Sequence, residues 1–382
     1  MQALHEVADI LQMRKSELDS FCQNTWQLRT LHAIRKCRTA AMGGHIDHCN
    51  NPKCNKLHLS YNSCRNRHCP KCQGHKREEW IRAREADLLN VPYYHLVFTL
   101  PTELNQLAMH QPKLLYDLLF ATAWSTVQTF AADPKYLGAQ SGMIDILHTW
   151  GQNLSLHPHL HCILPAGGVS KSKKWKQANG KGKFLFPVKA MSKVFRARMV
   201  EQLRKKSDLE KSSYEKLFKN NWVIYAKRPF ASPKYVVEYL GRYTHKIAIS
   251  NHRIISIDEQ TITFKYKDYR QAGKNKTMTL THAEFIRRFS QHILPKGFTR
   301  IRHYGILSST LKKKLLPKLQ LTLGSLKSEE KKPQMHRICP LCKKGTLTTL
   351  VSFSGRAPPM KFIEKLIKNK VTRAELDEVS VN

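Results

Sequence analysis

Three histidines alternate with other residues in the stretch Leu156–Leu164, which we predict to be a β-strand because most of its remaining positions are apolar. Side chains two positions apart in a strand lie on the same face, with Cα atoms about 7 Å apart. His159 and His161 can therefore bind one metal ion. Proline fits best at the beginning of a strand, so Pro158 leaves His157 at the strand's edge as a third candidate ligand. The alternative is that these histidines are ordinary polar residues on a half-exposed strand.

Cysteines and histidines also crowd the segment 37–72. Four residues separate Cys49 from Cys54, and two residues separate Cys69 from Cys72. Paired thiolates at such spacings close a tetrahedral site without much hydrophobic core, so we predict that these four cysteines bind one Zn²⁺. The remaining candidates fit no standard spacing and either form a second zinc site or pack in the core; they are Cys37, His45, Cys64 and His68.

A further pair of cysteines, Cys339 and Cys342, lies far along the chain. Two thiolates do not complete a zinc site, and His336 would supply only a third ligand. We therefore do not expect a complete zinc site in this C-terminal segment.

Tyrosines recur every four residues at positions 235, 239 and 243, which would place them on one stripe of a helix. Such a stripe is more often part of a core than of a catalytic site. Arg242, His245 and Lys246 lie in the same segment, however, and cations near a tyrosine lower the pKa of its hydroxyl from the reference of about 10.

The composition points to a polyanionic partner. The chain has 65 Lys and Arg against 28 Asp and Glu, a formal net charge of +37. Such a surplus favours nucleic acid, with an anionic membrane surface as the competing partner. The sequence lacks both a spanning apolar run of about 18 residues and a secretion signal, so we predict a cytoplasmic, nucleoid-associated protein with reduced cysteines.

The elements that must position these residues indicate an α+β fold. Helical periodicity marks residues 1–40, 103–130 and 188–219, whereas strands are predicted at 93–100, 142–150, 156–164 and 221–226. The short link between the strands that end at Trp150 and begin at Leu156 favours an antiparallel sheet. A hairpin follows at 253–257 and 261–266, and a third strand at 277–280 leads into a helix. We predict three parts: a helical and zinc-binding domain at 1–90, a core at 91–310 and a basic C-terminal region at 311–382.

A lysine-rich loop, Lys171–Lys183, follows the histidine strand and contains Trp175. It is either a disordered insertion or a clamp that holds single-stranded nucleic acid by charge and by stacking on Trp175.

Four motifs in one order resemble the transposases of rolling-circle insertion sequences, the insertion sequence ninety-one family of the HUH endonuclease superfamily. They are the zinc segment Tyr61–Cys72, the strand Val97–Leu100, the His-hydrophobic-His at 159–161 and the tyrosine segment Tyr239–Tyr243. The resemblance covers roughly residues 35–310, and unrelated proteins should not collect all four motifs in this order.

This resemblance implies an HUH nuclease core with an antiparallel sheet, which cuts one DNA strand and holds the end as a 5′-phosphotyrosine. In that family two histidines bind Mg²⁺ or Mn²⁺, here His159 and His161. The third ligand varies, and His157, Gln152 and Asp145 are the candidates.

The family's two-tyrosine members space their nucleophiles four residues apart, as Tyr239 and Tyr243 are. Tyr243 and Lys246 also resemble the Tyr-x-x-Lys motif of single-tyrosine initiators, and Tyr235, outside both patterns, is interpreted as structural. We therefore predict a transposase that nicks and rejoins single-stranded DNA at element ends. The alternatives are a plasmid or phage rolling-circle replication initiator and a non-catalytic zinc DNA-binding regulator. The sequence leaves the oligomeric state open.

Overall fold

A computed structural model of the 382-residue chain describes residues 3–72, 87–178, 185–230, 235–236, 247–324 and 337–355. The described residues form two compact units. One unit draws on Met1–Gln73, Ser250–Glu259 and Glu329–Asn382, and the other on Gly74–Ile249 and Gln260–Ser328.

The helices match the predicted helical regions, but the regions 103–130 and 188–219 each contain two helices. The region 103–130 is divided at Gln111 (φ −128°, ψ 56°), which lies between a helix that ends at His110 and one that begins at Pro112. The predicted helix at 188–219 is two helices, because the chain becomes extended at Ser207 (φ −133°, ψ 152°). The α-helices are α1 (Val7–Met13), α2 (Thr25–Arg35), α3 (Asn105–His110), α4 (Pro112–Ala132), α5 (Val188–Lys206), α6 (Lys211–Lys219), α7 (His282–Gln291) and α8 (Ser309–Leu323).

The strands also follow the predicted order. The strand predicted at 221–226 begins three residues later and extends to Phe230. The strands are β1 (Gly44–Cys49), β2 (Leu57–Tyr61), β3 (Tyr93–Thr99), β4 (Gly142–Trp150), β5 (Leu156–Pro165), β6 (Gly167–Val169), β7 (Trp175–Gln177), β8 (Ile224–Phe230), β9 (Ile254–Ile257), β10 (Thr261–Asp268), β11 (Lys274–Thr281), β12 (Ile301–Gly305) and β13 (Leu347–Phe353).

A five-stranded sheet in the order β12-β4-β5-β3-β8 organises the larger unit. Every neighbouring pair in it is antiparallel, which confirms the predicted mixed fold with an antiparallel sheet. On one face, Leu147, Leu160 and Cys162 pack in a hydrophobic core with α4 and α5. Because strand side chains alternate between faces, the histidines of β4 and β5 lie on the opposite face.

The opposite face carries a smaller hydrophobic cluster beside the histidines. Ile144, Ile146 and Ile163 belong to it, together with Leu316 and Leu319 of α8. Apolar residues thus cover one end of this face, while the histidines occupy the other.

The smaller unit contains residues from both the N-terminal and the C-terminal part of the chain. Its sheet has the order β13-β1-β2, so a strand from the C-terminal part pairs with a strand from the zinc-binding segment. The compact units therefore divide the chain differently from the predicted parts at 1–90, 91–310 and 311–382, because sequence order does not reveal the pairing of β1 with β13.

Among the described residues, no helix combines the length and the apolar character needed to cross a bilayer.

Candidate functional site

A group of three histidines lies on the face of the five-stranded sheet opposite α4 and α5. His148, His159 and His161 place one nitrogen each so that all three atoms lie within 4.8 Å of one another. The strand register produces this arrangement, because His148 of β4 lies opposite His159 of β5, and Ile146 lies opposite His161. Three imidazoles that converge at this distance can share one metal ion.

Hydrogen bonds fix two of the three rings for metal binding. The Nδ1 atom of His159 lies 2.6 Å from the backbone oxygen of His157, so the Nδ1–H donates to it. The Nδ1 atom of His161 lies 3.0 Å from Nε2 of His95. Metal-binding histidines commonly donate their other ring N–H to such partners. Each contact therefore leaves Nε2 of the ligand histidine as its metal-binding atom.

His148 is the most deeply buried of the three and is held from one side by an aromatic ring. It is 2% exposed, and its ring stacks on Trp150 with centroids 4.7 Å apart. The guanidinium of Arg300 lies 5.1 Å from the Trp150 ring centroid. Sequence reasoning missed His148 and also His95, since each is a lone histidine in an apolar strand.

Asp145 was a candidate third ligand, and that prediction is wrong. Asp145 lies opposite Cys162, and both side chains belong to the face that α4 and α5 cover. Its carboxyl is completely buried, and this burial raises the pKa of Asp145 well above its ordinary value. His157 lies outside the group, although its carbonyl positions His159. Gln152, in the turn between β4 and β5, stays a prediction.

The turn between β4 and β5 is hydrogen-bonded to a buried histidine, His292, at the C-terminal end of α7. Nε2 of His292 donates to the carbonyl of Leu154 at 3.1 Å, and Nδ1 accepts from the Thr149 hydroxyl at 3.2 Å. A neutral imidazole with its proton on Nε2 satisfies both bonds. Complete burial lowers the pKa of His292 to about 4 and so keeps the ring neutral. His292 therefore stabilises the turn that sets the register of His148 against His159.

The predicted nucleophiles lie outside the described residues: Tyr239, Tyr243 and Lys246 all fall between 237 and 246. Of the same segment, Tyr235 and Val236 are described. Tyr235 is 58% exposed, whereas Val236 is fully buried in the cluster that contains Ile144.

Four cysteines of the zinc-binding segment converge in the smaller unit. The group consists of Cys37, Cys64, Cys69 and Cys72. Sγ of Cys72 lies 3.5 Å from that of Cys37 and 3.6 Å from that of Cys64. Zinc–sulfur bonds of about 2.3 Å in a tetrahedron place the sulfurs about 3.8 Å apart, so this group fits a Zn²⁺ ion.

The predicted pairing of Cys49 and Cys54 with Cys69 and Cys72 is wrong. Cys49 ends β1 and lies opposite Leu347 of β13, so the nearby thiols come from the C-terminal segment. Cys49 and Cys54 form a second group with Cys339 and Cys342.

Two histidines that were candidate zinc ligands lie outside both cysteine groups. Nε2 of His45 lies 3.4 Å from a carboxylate oxygen of Asp47. The backbone N–H of His68 donates to the side chain of Asn66 at 2.9 Å. The cysteines alone therefore supply four ligands to each group.

The tryptophan of the lysine-rich loop is half-buried. Trp175 begins β7, which pairs with β6, and its ring packs so closely on Gly167 that a Cβ there would overlap it. Trp175 also packs against the apolar cluster on the sheet. Stacking of a base on Trp175 stays a prediction, and Lys181 and Lys183 lie outside the described residues.

Two known families match different parts of the chain, one of which contains the first cysteine group and the other the histidine group. Residues 10–100 match the family described as "Transposase zinc-binding domain", and residues 142–314 match the family described as "Putative transposase". The first match contains Cys37, Cys64, Cys69 and Cys72, and the second contains all three histidines.

Two relatives match most of the chain. A protein of Sinorhizobium fredii named "Putative transposase y4qJ" is 41% identical over 369 residues, which cover 88% of this chain and 92% of that protein. The "Transposase for insertion sequence element IS801" of Pseudomonas savastanoi pv. phaseolicola is 29% identical over 310 residues, which cover 77% of this chain and 73% of that protein. No solved structure matches the chain.

The chain is a DNA transposase with an N-terminal zinc-binding domain, as its zinc-binding segment, its histidine group and the two family matches together indicate. The chain belongs to the insertion sequence ninety-one (IS91) family of transposases.

Proposed function

We propose that this transposase nicks and rejoins single-stranded DNA at the ends of its element, through a 5′-phosphotyrosine intermediate, during rolling-circle transposition. The observation that carries the proposal is the convergence of His148, His159 and His161 within 4.8 Å on one face of the sheet. A structural role for these residues would not need three converging imidazoles, two of them with the second ring nitrogen already hydrogen-bonded.

The donor set fits a divalent cation held by His148, His159 and His161. Imidazole binds Mn²⁺ more readily than Mg²⁺, which prefers oxygen ligands, so of the two cations Mn²⁺ fits this site better. When bound, such a cation polarises a phosphate oxygen and offsets the charge that develops there. His95 and the carbonyl of His157 orient two of the ligand rings, which prepares the site before the cation arrives.

The tyrosines supply the covalent chemistry in this proposal. The hydroxyl oxygen of Tyr239 or Tyr243 attacks the scissile phosphorus, the bond from phosphorus to the 3′ oxygen breaks, and the 3′ oxygen leaves with a proton. The 5′ phosphate is then joined to the tyrosine. Attack by a 3′ hydroxyl on that linkage reverses the step and rejoins DNA, so no nucleotide triphosphate is consumed.

Two tyrosines can hold two DNA ends in succession, which cutting followed by rejoining requires. Lys246 lies three residues after Tyr243, and its ammonium would stabilise the tyrosine oxygen as it loses its proton. The net charge of +37 supports binding of the DNA backbone along the rest of the surface.

A cleavage assay tests the tyrosine step. The full chain is mixed with Mn²⁺ and a labelled single-stranded oligonucleotide that carries an element end, and covalent adducts are resolved on a denaturing gel. We expect an adduct with the wild type and with Tyr235→Phe, which is a matched control from the same segment. The double variant Tyr239→Phe/Tyr243→Phe should form none.

Two results would count against the mechanism: no adduct with the wild type, or as much adduct with the double variant as with the wild type. The first result would favour the non-catalytic DNA-binding regulator. A rolling-circle replication initiator shares this chemistry, and cleavage restricted to a plasmid or phage replication origin would favour it instead.

A further inference from the structure

The second cysteine group brings together two parts of the chain that lie far apart in sequence. Cys49 and Cys54 come from the zinc-binding segment, and Cys339 and Cys342 come from the C-terminal part. The last two lie beyond residues 10–100, which match the zinc-binding family. We propose that these four cysteines bind a second zinc ion, which fastens the segment 337–355 onto β1.

The distances between the sulfurs are those of a tetrahedral zinc site. Sγ of Cys49 lies 3.7 Å from Sγ of Cys342, and Sγ of Cys54 lies 3.8 Å from Sγ of Cys339. A tetrahedron with zinc–sulfur bonds of about 2.3 Å has sulfur–sulfur edges of about 3.8 Å. A disulfide would bring two sulfurs to about 2.05 Å, and all four cysteines are free thiols.

Backbone amides already point at the sulfurs. The N–H of Gly345 donates to Sγ of Cys342 at 3.3 Å. The backbone amides of Asn51 and Lys56 are hydrogen-bonded to the sulfurs of Cys49 and Cys54. Hydrogen bonds from N–H groups stabilise the negative charge of thiolates, which is the state that binds zinc. Both short cysteine loops therefore have a backbone arranged for ligands.

Gly345 allows the two segments to approach this closely. A Cβ atom at this position would lie 2.5 Å from Sγ of Cys49 and 2.8 Å from Cβ of Asn51. On the other side, Asn50 donates its backbone N–H to the carbonyl of Thr346 at 3.0 Å and accepts the N–H of Thr346 on its side chain at 2.8 Å. The backbone of the C-terminal segment is thus pressed against the cysteine loop of β1, as a shared metal requires.

A histidine completes the surroundings of the site. Nε2 of His58, on β2, lies 3.3 Å from Sγ of Cys339. An imidazole N–H at this distance can donate to the thiolate without occupying a position on the metal. Four thiolates carry a charge of −4 against +2 for zinc, so a donor at the edge of the site reduces the excess negative charge.

Counting zinc ions tests the proposal. Every full-length protein in this experiment carries His148→Ala, so that the histidine group adds no zinc to the count, and "wild type" here means unchanged cysteines. The protein is purified without chelator, and its zinc content is measured by elemental mass spectrometry. We expect two zinc ions per chain in the wild type and one in Cys339→Ser/Cys342→Ser. The variant Cys37→Ser/Cys64→Ser should also retain one, whereas Cys22→Ser, whose thiol belongs to neither group, should keep two. One zinc ion in the wild type, or two in Cys339→Ser/Cys342→Ser, would overturn the proposal.

A second measurement uses the wild-type chain alone and so does not depend on how the variants fold. The protein is stripped of metal and titrated with Co²⁺, whose tetrahedral thiolate complexes absorb in the visible range. We expect this absorption to rise until two equivalents are bound. Saturation of the wild type at one equivalent would contradict a second thiolate site. The proposal is independent of the nuclease chemistry, because both measurements report metal alone.

Discussion

At the scale of single residues, the sequence predicts the parts of the histidine site that lie close together in the chain. His159 and His161 are two positions apart in one strand, so their common face follows from the period of a strand. His148 has no ligand near it in sequence. Its place in the group depends on the register of β4 against β5, which the turn at 151–155 determines. Asp145 was left open as a ligand for the same reason, because only the register, which pairs Asp145 with Cys162, shows that it lies on the other face.

His292 should make stability depend on pH below neutrality. Its pKa falls from an ordinary 6.5 to about 4 because it is buried. A base with a lowered pKa in the folded state binds its proton more readily when unfolded. The contribution of neutral His292 to the free energy of unfolding is therefore fully present above pH 6.5. This contribution falls by about 3 kcal/mol in total as the pH falls from 6.5 towards 4.

Chemical denaturation at a series of pH values between 4 and 7 measures this loss. The variant His292→Gln removes the titration while it retains a hydrogen-bonding side chain. The difference in free energy of unfolding between wild type and variant should shrink as the pH falls. A difference that stays constant across this range would show that His292 does not titrate as its burial requires.

At the scale of elements, strands and helices were predictable because periodicity is a local signal. The strands at 93–100, 142–150 and 156–164 appear within a residue or two of their predicted bounds. Which segments come together was less predictable. The four cysteines Cys49, Cys54, Cys69 and Cys72 have suitable spacing in sequence, yet the pairing of β1 with β13 separates them into two groups. Spacing identifies ligands but not their partners.

Two glycines allow a test of how tightly the edge of the main sheet is packed. Gly305 ends β12 with a positive φ of 57°, and a Cβ there would overlap the carbonyl of Ser141 and the ring of Trp124. Gly273 has a φ of 77° with nothing within 4 Å of such a Cβ. Gly305→Ala should therefore destabilise the protein by about 3 kcal/mol or more, from strain and overlap together, and Gly273→Ala by only about 1 kcal/mol, from strain.

Urea denaturation of both variants beside the wild type gives these differences. Equal losses from Gly305→Ala and Gly273→Ala would mean that β12 moves freely away from Ser141.

At the scale of the whole molecule, the family and the broad activity could be predicted, but the division of the chain could not. The order of the zinc, histidine and tyrosine motifs is visible in sequence, and the match of 41% identity over 88% of the chain bears out the family. The return of the C-terminal segment to the zinc-binding unit is not visible, because it rests on contacts between residues about 290 positions apart in the chain, as in the pairs Cys49–Cys342 and Cys54–Cys339.

The central claim is that His148, His159 and His161 bind the cation on which strand cleavage depends. The most direct measurement is cleavage of a single-stranded element end by His148→Ala, over a range of Mn²⁺ concentrations, beside His157→Ala. Loss of groups that only orient a ligand costs about 10–100-fold, so loss of a ligand should cost at least about 100-fold in cleavage rate. His157→Ala keeps the backbone carbonyl that holds His159. Its cleavage rate should therefore stay within about tenfold of the wild-type rate. If His148→Ala cleaves at the wild-type rate with the same dependence on Mn²⁺, the three-histidine site is contradicted.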